Sequence, residues 1–204
     1  MPSAARATNP SDRPGRAAES GPDVTESTAP HEILAADVRS VLREIPDYPV
    51  PGVVFKDFTP LLADPALSAR VVHHVAGRHH EQVDRVVGIE ARGFILGAAI
   101  AHHLGVGFVP VRKADKLPAA RHSVDYDLEY GSATLEMHTD AVQRGERVLV
   151  VDDVLATGGT AAATCELITR CGGQVAAVDV VLELAFLHGR DKLPGIPVYA
   201  LISD

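Results

Sequence analysis

The run Val148-Leu149-Val150-Val151-Asp152-Asp153-Val154-Leu155-Ala156-Thr157-Gly158-Gly159-Thr160 decides the fold of this chain. Four consecutive aliphatic residues read as a strand over 147–151 buried on both faces, as in parallel sheets. Two carboxylates follow at its carboxyl end. A turn of small residues comes next, and then a helix over 160–171 closed by Gly172-Gly173. A turn without bulky side chains lets backbone N–H groups approach an anion, and the helix N-terminus adds unpaired donors and a favourable dipole. Thr157 and Thr160 can add hydroxyl donors. The paired carboxylates can accept hydrogen bonds from two vicinal hydroxyls, such as those of a ribose. No Gly-Lys-Ser/Thr follows, so the turn is not a Walker loop, and the dinucleotide fingerprint Gly-x-Gly-x-x-Gly is absent. The alternative is an ordinary strand–turn–helix with acidic surface residues.

Outward from this unit, strands and helices alternate. Ile33, Leu34, Val38, Val41, Leu42 and Ile45 follow helical spacing, and Pro46 should end that helix. A second helix should open at Asp64-Pro65, with Asp64 as cap, and run to about Gln82. Strands are expected at 83–89, 107–111, 132–138, 174–182 and 198–202, and a helix at 93–104. Residues 112–130, about 19 in number, lack periodicity, and connections of that length usually serve as lids or are disordered. Alternating strands and helices imply a mostly parallel sheet flanked by helices, with ligands beyond the carboxyl ends of the strands.

Composition agrees with one α/β domain. The chain has 204 residues, 46% of them hydrophobic, with 4% aromatics and no Trp, so the core must be aliphatic. Residues 1–30 are rich in Ala, Pro, Ser and Thr with mixed charge, and are expected to form a disordered tail ahead of a domain over 31–204. A net charge of −8 argues against nucleic acid as a partner. No apolar run reaches the length of a membrane span, and no signal core opens the chain, so the expected location is the cytoplasm. Cys165 and Cys171 fit neither a redox pair nor a zinc knuckle and are expected to be reduced thiols.

The segment 148–160 closely resembles the phosphoribosyl-pyrophosphate motif of type I phosphoribosyltransferases. That resemblance implies the type I fold, with a mobile lid loop and a small N-terminal base-binding hood. It assigns Asp152 and Asp153 to the ribose hydroxyls, and Ala156, Thr157, Gly158, Gly159 and Thr160 to the 5′-phosphate. By itself the motif leaves the base open.

Three further stretches resemble the adenine-specific members of that family. In Asp47-Tyr48-Pro49-Val50-Pro51-Gly52-Val53-Val54-Phe55-Lys56-Asp57, the resemblance places a hood over the base, with backbone groups of Val54 and Lys56 reading the adenine edge. Arg is common where Lys56 stands. A plain loop packing Phe55 into the core is the other reading. In Gly88-Ile89-Glu90-Ala91-Arg92-Gly93-Phe94, the resemblance implies a pyrophosphate loop with Arg92 at the leaving group, against the alternative of a local Glu90–Arg92 salt bridge. The third stretch joins 109–118 to Tyr126-Asp127-Leu128-Glu129-Tyr130-Gly131. Arg112, Lys113 and Lys116 form a local basic cluster suited to pyrophosphate. The resemblance makes this region the lid, with Glu129 handling a proton near the purine, Tyr130 bracing the lid, and Arg112 serving the site or a neighbouring subunit. For Glu129 the plain alternative is a solvated loop acid.

The implied activity is conversion of adenine and 5-phosphoribosyl-1-pyrophosphate to AMP and pyrophosphate by a homodimer. Magnesium is expected to enter on the pyrophosphate rather than in a protein cage. A phosphoribosyltransferase for guanine, xanthine or orotate, or a non-enzymatic sensor of the same sugar phosphate, are the competing functions. His73, His74, His79 and His80 offer helical spacing without an acid or Cys to complete a metal set, and are expected to form a solvated face.

Overall fold

The computed structural model describes residues 30–127 and 132–204. The tail expected over 1–30 falls, apart from Pro30, outside the described residues, as do Glu129 and Tyr130.

Seven strands form one sheet: β3 (Arg85–Ile89), β4 (Gly107–Lys113), β5 (Arg121–Asp127), β6 (Ser132–His138), β7 (Arg147–Leu155), β8 (Gln174–Glu183) and β9 (Val198–Ser203), in the order β5-β6-β4-β3-β7-β8-β9. The pairs β3–β4, β3–β7, β7–β8 and β8–β9 are parallel, whereas β6 is antiparallel to both β4 and β5. The mostly parallel sheet expected from the alternation is therefore present, with an antiparallel edge. Strand β7 lies inside the sheet between β3 and β8, and its alternation builds both halves of the core. Leu149 and Val151 join α1 (Pro30–Val41), α3 (Pro65–His79) and α4 (Arg92–Leu104) on one face. Val148 and Val150 meet α5 (Gly159–Arg170) on the other. All four side chains are no more than 2% exposed, each burial stabilising the fold by about 1.5–3 kcal/mol.

Three elements differ from the sequence reading. The first helix ends at Val41, and Arg43–Pro46 forms β1, paired antiparallel with β2 (Val54–Asp57). The helical spacing of Leu42 and Ile45 is overridden by this pairing, which sets Ile45 opposite Phe55. The 112–130 region is not a loop throughout: Arg121–Asp127 is a strand zipped to β6 over seven paired positions. The strand does alternate, with His122, Val124 and Tyr126 covered between exposed Arg121, Ser123 and Asp125, but only two of its covered residues are apolar, too few to mark it in the sequence. A short helix, α2 (Thr59–Ala63), was not foreseen.

The Asp64 cap is as predicted, its carboxylate accepting from the N–H groups of Ala66 and Leu67 at 3.0 and 2.9 Å. Both cysteines are free, and burial pushes the Cys165 thiol up to about 12. The histidine face is corrected in part. His79 is buried and lies 2.9 Å from Asp179, which also takes Arg78 at 2.7 Å. No described helix is long and apolar enough to cross a membrane.

Candidate active site

Strand β7 runs on past its aliphatic core through Asp152 and Asp153 to Leu155, so both acids stand within the strand near its carboxyl end. The first turn of α4 lies directly on them. A Cβ added to Gly93 would stand 2.7 Å from the Val151 carbonyl and 3.0 Å from Asp152 Oδ1. Only glycine permits that approach, and it brings the α4 N-terminus to the acid pair.

The two acids differ in their surroundings. Asp153 is 5% exposed, and its Oδ2 lies 2.7 Å from Arg92 Nε. The contact is a charge pairing without hydrogen-bond alignment, since Asp153 Oδ2 has no hydrogen-bond partner among the described residues. Asp152 Oδ1 accepts from the Asp153 N–H at 2.9 Å. Desolvation, reinforced by the neighbouring Asp153 carboxylate, holds the Asp152 carboxyl well above the usual aspartate range.

After Leu155 the chain turns through Ala156, Thr157 and Gly158 into α5. Gly158 adopts φ +77 at the helix N-cap, a conformation that side chains rarely take. Ala162 donates to the Gly158 carbonyl at 2.9 Å, which leaves the N–H groups ahead of it outside the helix ladder. The turn and Asp152 line a small cavity of about 70 Å³ together with Ile89, Val178 and Val180. The geometry is that of a cradle for a phosphate beside two carboxylates.

Arg92 connects this cradle to the β1–β2 hairpin. Its Nη1 donates to the Lys56 carbonyl at 3.4 Å, and its guanidinium lies 5.1 Å from the Phe55 ring centre and 5.7 Å from that of Phe58. Phe58, 1% exposed, is the aromatic that enters the core, while Phe55 remains half-buried with its edge against Tyr48. Lys56 directs its ammonium away from Arg92, to Glu44 at 2.6 Å and Asp204 at 3.2 Å. The Glu44 hydrogen bond leads in raising the Lys56 pKa. Val54 is 50% exposed on the hairpin.

The basic cluster assembles on the other side of the β3 end. Glu90 pairs with Arg112 at 3.2 Å and also accepts from the Lys113 N–H. The Glu90–Arg92 salt bridge is therefore not formed; the two residues diverge to Arg112 and Asp153. Arg112 Nη1 donates to the Lys116 carbonyl at 3.2 Å, and the Lys113 and Lys116 side chains are exposed. Buried Glu136 ties the base of the β5–β6 hairpin, accepting from Arg121 Nε at 2.8 Å and from the Asp115 N–H at 3.1 Å. Among the described residues, no three His, Cys, Asp or Glu groups converge on a metal position.

Sequence reading did not find Gly189, whose backbone abuts the turn after β7 at Ala156 and Gly158. A lone glycine between His188 and Arg190 carries no pattern that marks such a contact.

Comparisons with known proteins agree on one family. A model described as a phosphoribosyl transferase domain matches residues 61–192. An adenine phosphoribosyltransferase of Nocardioides sp. is 53% identical over 173 residues, spanning 82% of this chain and 94% of that one. The crystal structure of adenine phosphoribosyltransferase from Thermoanaerobacter pseudethanolicus superimposes with a TM-score of 0.81 at 46% identity, covering 83% of this chain and 99% of that chain. The Saccharomyces cerevisiae enzyme, complexed with adenine and an imino-altritol bisphosphate, gives a TM-score of 0.80 at 39% identity over 83% and 99%.

Proposed function

The chain belongs to the adenine phosphoribosyltransferases of the phosphoribosyl transferase family, and from that membership we propose how its residues carry the reaction. It is a pentosyltransferase that joins adenine to 5-phosphoribosyl-1-pyrophosphate, giving AMP and pyrophosphate in purine salvage. The observation that carries this reading is the Asp152–Asp153 pair at the end of β7, directly ahead of a glycine-threonine turn and the N-terminus of α5. The relatives act on adenine by name, which sets aside guanine, xanthine and orotate as the base and a non-enzymatic sensor as the role.

Ala156, Thr157, Gly158, Gly159 and Thr160 hold the 5′-phosphate, while Asp152 and Asp153 take the two ribose hydroxyls. Asp153 Oδ2, buried without a hydrogen-bond partner, supports that role. The hood presents the backbone of Val54 and Lys56 to adenine. As the bond from the anomeric carbon to the pyrophosphate oxygen breaks, the sugar gains oxocarbenium-like character and a nitrogen of the adenine imidazole ring forms the new bond. The proton released from that ring passes to Glu129. Arg92, Arg112, Lys113 and Lys116 balance the charge on departing pyrophosphate. To do so Arg92 must turn from Asp153, so substrate binding exchanges one charged partner for another. The β5–β6 hairpin, braced by Tyr130, covers the site and excludes water.

The carboxylates of Asp152 and Asp153 are hard oxygen donors of the kind magnesium accepts, and they fit an ion that arrives with pyrophosphate and keeps most of its waters. When bound, magnesium supplies positive charge to the pyrophosphate oxygens. A catalytic domain over 31–204, a homodimer and a cytoplasmic location complete the reading.

A calorimetric titration with magnesium and phosphoribosyl pyrophosphate tests the site. The double variant Asp152→Asn, Asp153→Asn should bind about a hundredfold more weakly than the native chain, as expected for losing charge-assisted hydrogen bonds to two hydroxyls. Undiminished affinity would remove the acid pair from the site.

A further inference from the structure

The phosphate turn rests on a segment that the reaction scheme does not use. After β8 the chain passes through two short 3-10 turns, Ala185–Leu187 and Gly189–Lys192, before reaching β9. This excursion is tied down at four points. Leu184 donates its N–H to the Leu155 carbonyl at 2.9 Å, and Ala185 donates to the Asp204 carbonyl at 2.8 Å. The buried Glu183 carboxylate takes the Arg190 fork, with Nε at 2.6 Å and Nη2 at 2.7 Å. The remaining Arg190 nitrogen, Nη1, donates to the Val198 carbonyl on β9 at 2.7 Å.

So anchored, the excursion presses one residue against the turn. A Cβ on Gly158 would collide with the Gly189 carbonyl, and a Cβ on Gly189 would collide with the Ala156 carbonyl and lie 3.1 Å from the Gly158 nitrogen. The two backbones therefore touch on both sides with no side chain between them. Gly158 needs glycine for its φ of +77 as well. Gly189 has no positive φ, so its glycine answers to the contact alone.

We propose that Gly189 and the Glu183–Arg190 pair are positioning residues for the 5′-phosphate: they fix the height and tilt of the Ala156–Thr160 turn, so that its N–H groups converge on one anion. The inference rests on the reading of that turn as the phosphate site. It predicts that disturbing the brace weakens the phosphate end of the substrate and spares the base. Gly189→Ala leaves its own backbone unstrained and pushes directly on Ala156 and Gly158. Arg190→Gln breaks the fork from a distance, and Arg190→Lys restores the charge without the fork geometry.

The test measures KM for phosphoribosyl pyrophosphate and for adenine in Gly189→Ala, Arg190→Gln, Arg190→Lys and Thr160→Val, together with the dissociation constant of ribose 5-phosphate. Ribose 5-phosphate isolates the 5′ end from the pyrophosphate. Gly189→Ala should weaken both sugar phosphates by about tenfold or more, as misplaced binding groups do, with adenine KM within about twofold. Arg190→Gln should follow in the same direction, with Arg190→Lys between it and the native chain. If Thr160→Val weakens ribose 5-phosphate but the Gly189 and Arg190 variants do not, or if they shift adenine equally, the brace is refuted and the phosphate site stands. If Thr160→Val has no effect, the phosphate reading falls and the brace with it. Should Gly189→Ala fail to fold, the Arg190 pair decides alone.

Discussion

Asp152 sits where the first turn of α4 meets the end of β7, with Asp153 beside it in the chain. Desolvation comes first, and the adjacent Asp153 charge second, in raising its carboxyl above the ordinary value of 3.8. The sign of the consequence follows from linkage. Between 3.8 and the raised value the folded protein holds a proton that the unfolded chain has released, so stability falls as pH climbs through that window. Asp152→Asn removes the titration. That variant should melt higher than the native chain at neutral pH, and the gap should shrink on acidification toward 3.8. Melting curves for both proteins across this range check it; equal melting temperatures at neutral pH would contradict the origin given for the shift. On the proposed role at the ribose, the same residue illustrates a functional cost, since its carboxylate is one that burial disfavours.

At the scale of elements, the sequence was most legible where pattern and environment coincide. The aliphatic run Val148–Val151 is buried on both faces, as its uniform pattern requires, and the Asp64 cap is formed by the residue that announces it. The hood and the lid were harder to read. Leu42 and Ile45 keep helical spacing into β1 because a two-stranded hairpin imposes a tertiary pairing that local periodicity cannot record. Strand β5 was concealed because only Val124 and Tyr126 among its covered positions are apolar, with His122 as the third. Arg92 was expected at the pyrophosphate, and its pairing with Asp153 across two strand ends depends on the glycine contact at Gly93. The β5–β6 hairpin carries its own prediction. On the proposal that Glu129, which lies between β5 and β6 in sequence, accepts the proton, Glu129→Gln should lower kcat by about a hundredfold or more while leaving the KM for phosphoribosyl pyrophosphate nearly unchanged. Steady-state kinetics with both substrates varied measures this, and an unaltered kcat would take Glu129 out of the reaction.

At the scale of the whole molecule, one sheet with helices on both faces places every proposed ligand group at or beside its strand ends. β7 supplies the acids and the phosphate turn, β3 leads to Glu90 and Arg92, and β4 leads to the basic cluster. The β1–β2 hairpin reaches over from the side and is joined to this group through Arg92. A chain of net charge −8 thus gathers its exposed Lys113 and Lys116 next to the proposed pyrophosphate site. The sugar-phosphate part of the activity could be argued from residues 148–160 on physical grounds. The choice of adenine could not, because on the proposal that backbone groups at Val54 and Lys56 read the base, little trace is left in side chains; that choice rests on the relatives. The most direct measurement is therefore product formation by the purified protein with magnesium, phosphoribosyl pyrophosphate and one nucleobase at a time, resolved by chromatography. AMP from adenine, with no nucleotide from guanine, xanthine or orotate, is the predicted result; nucleotide from another base in place of AMP, or none from any base, would contradict it.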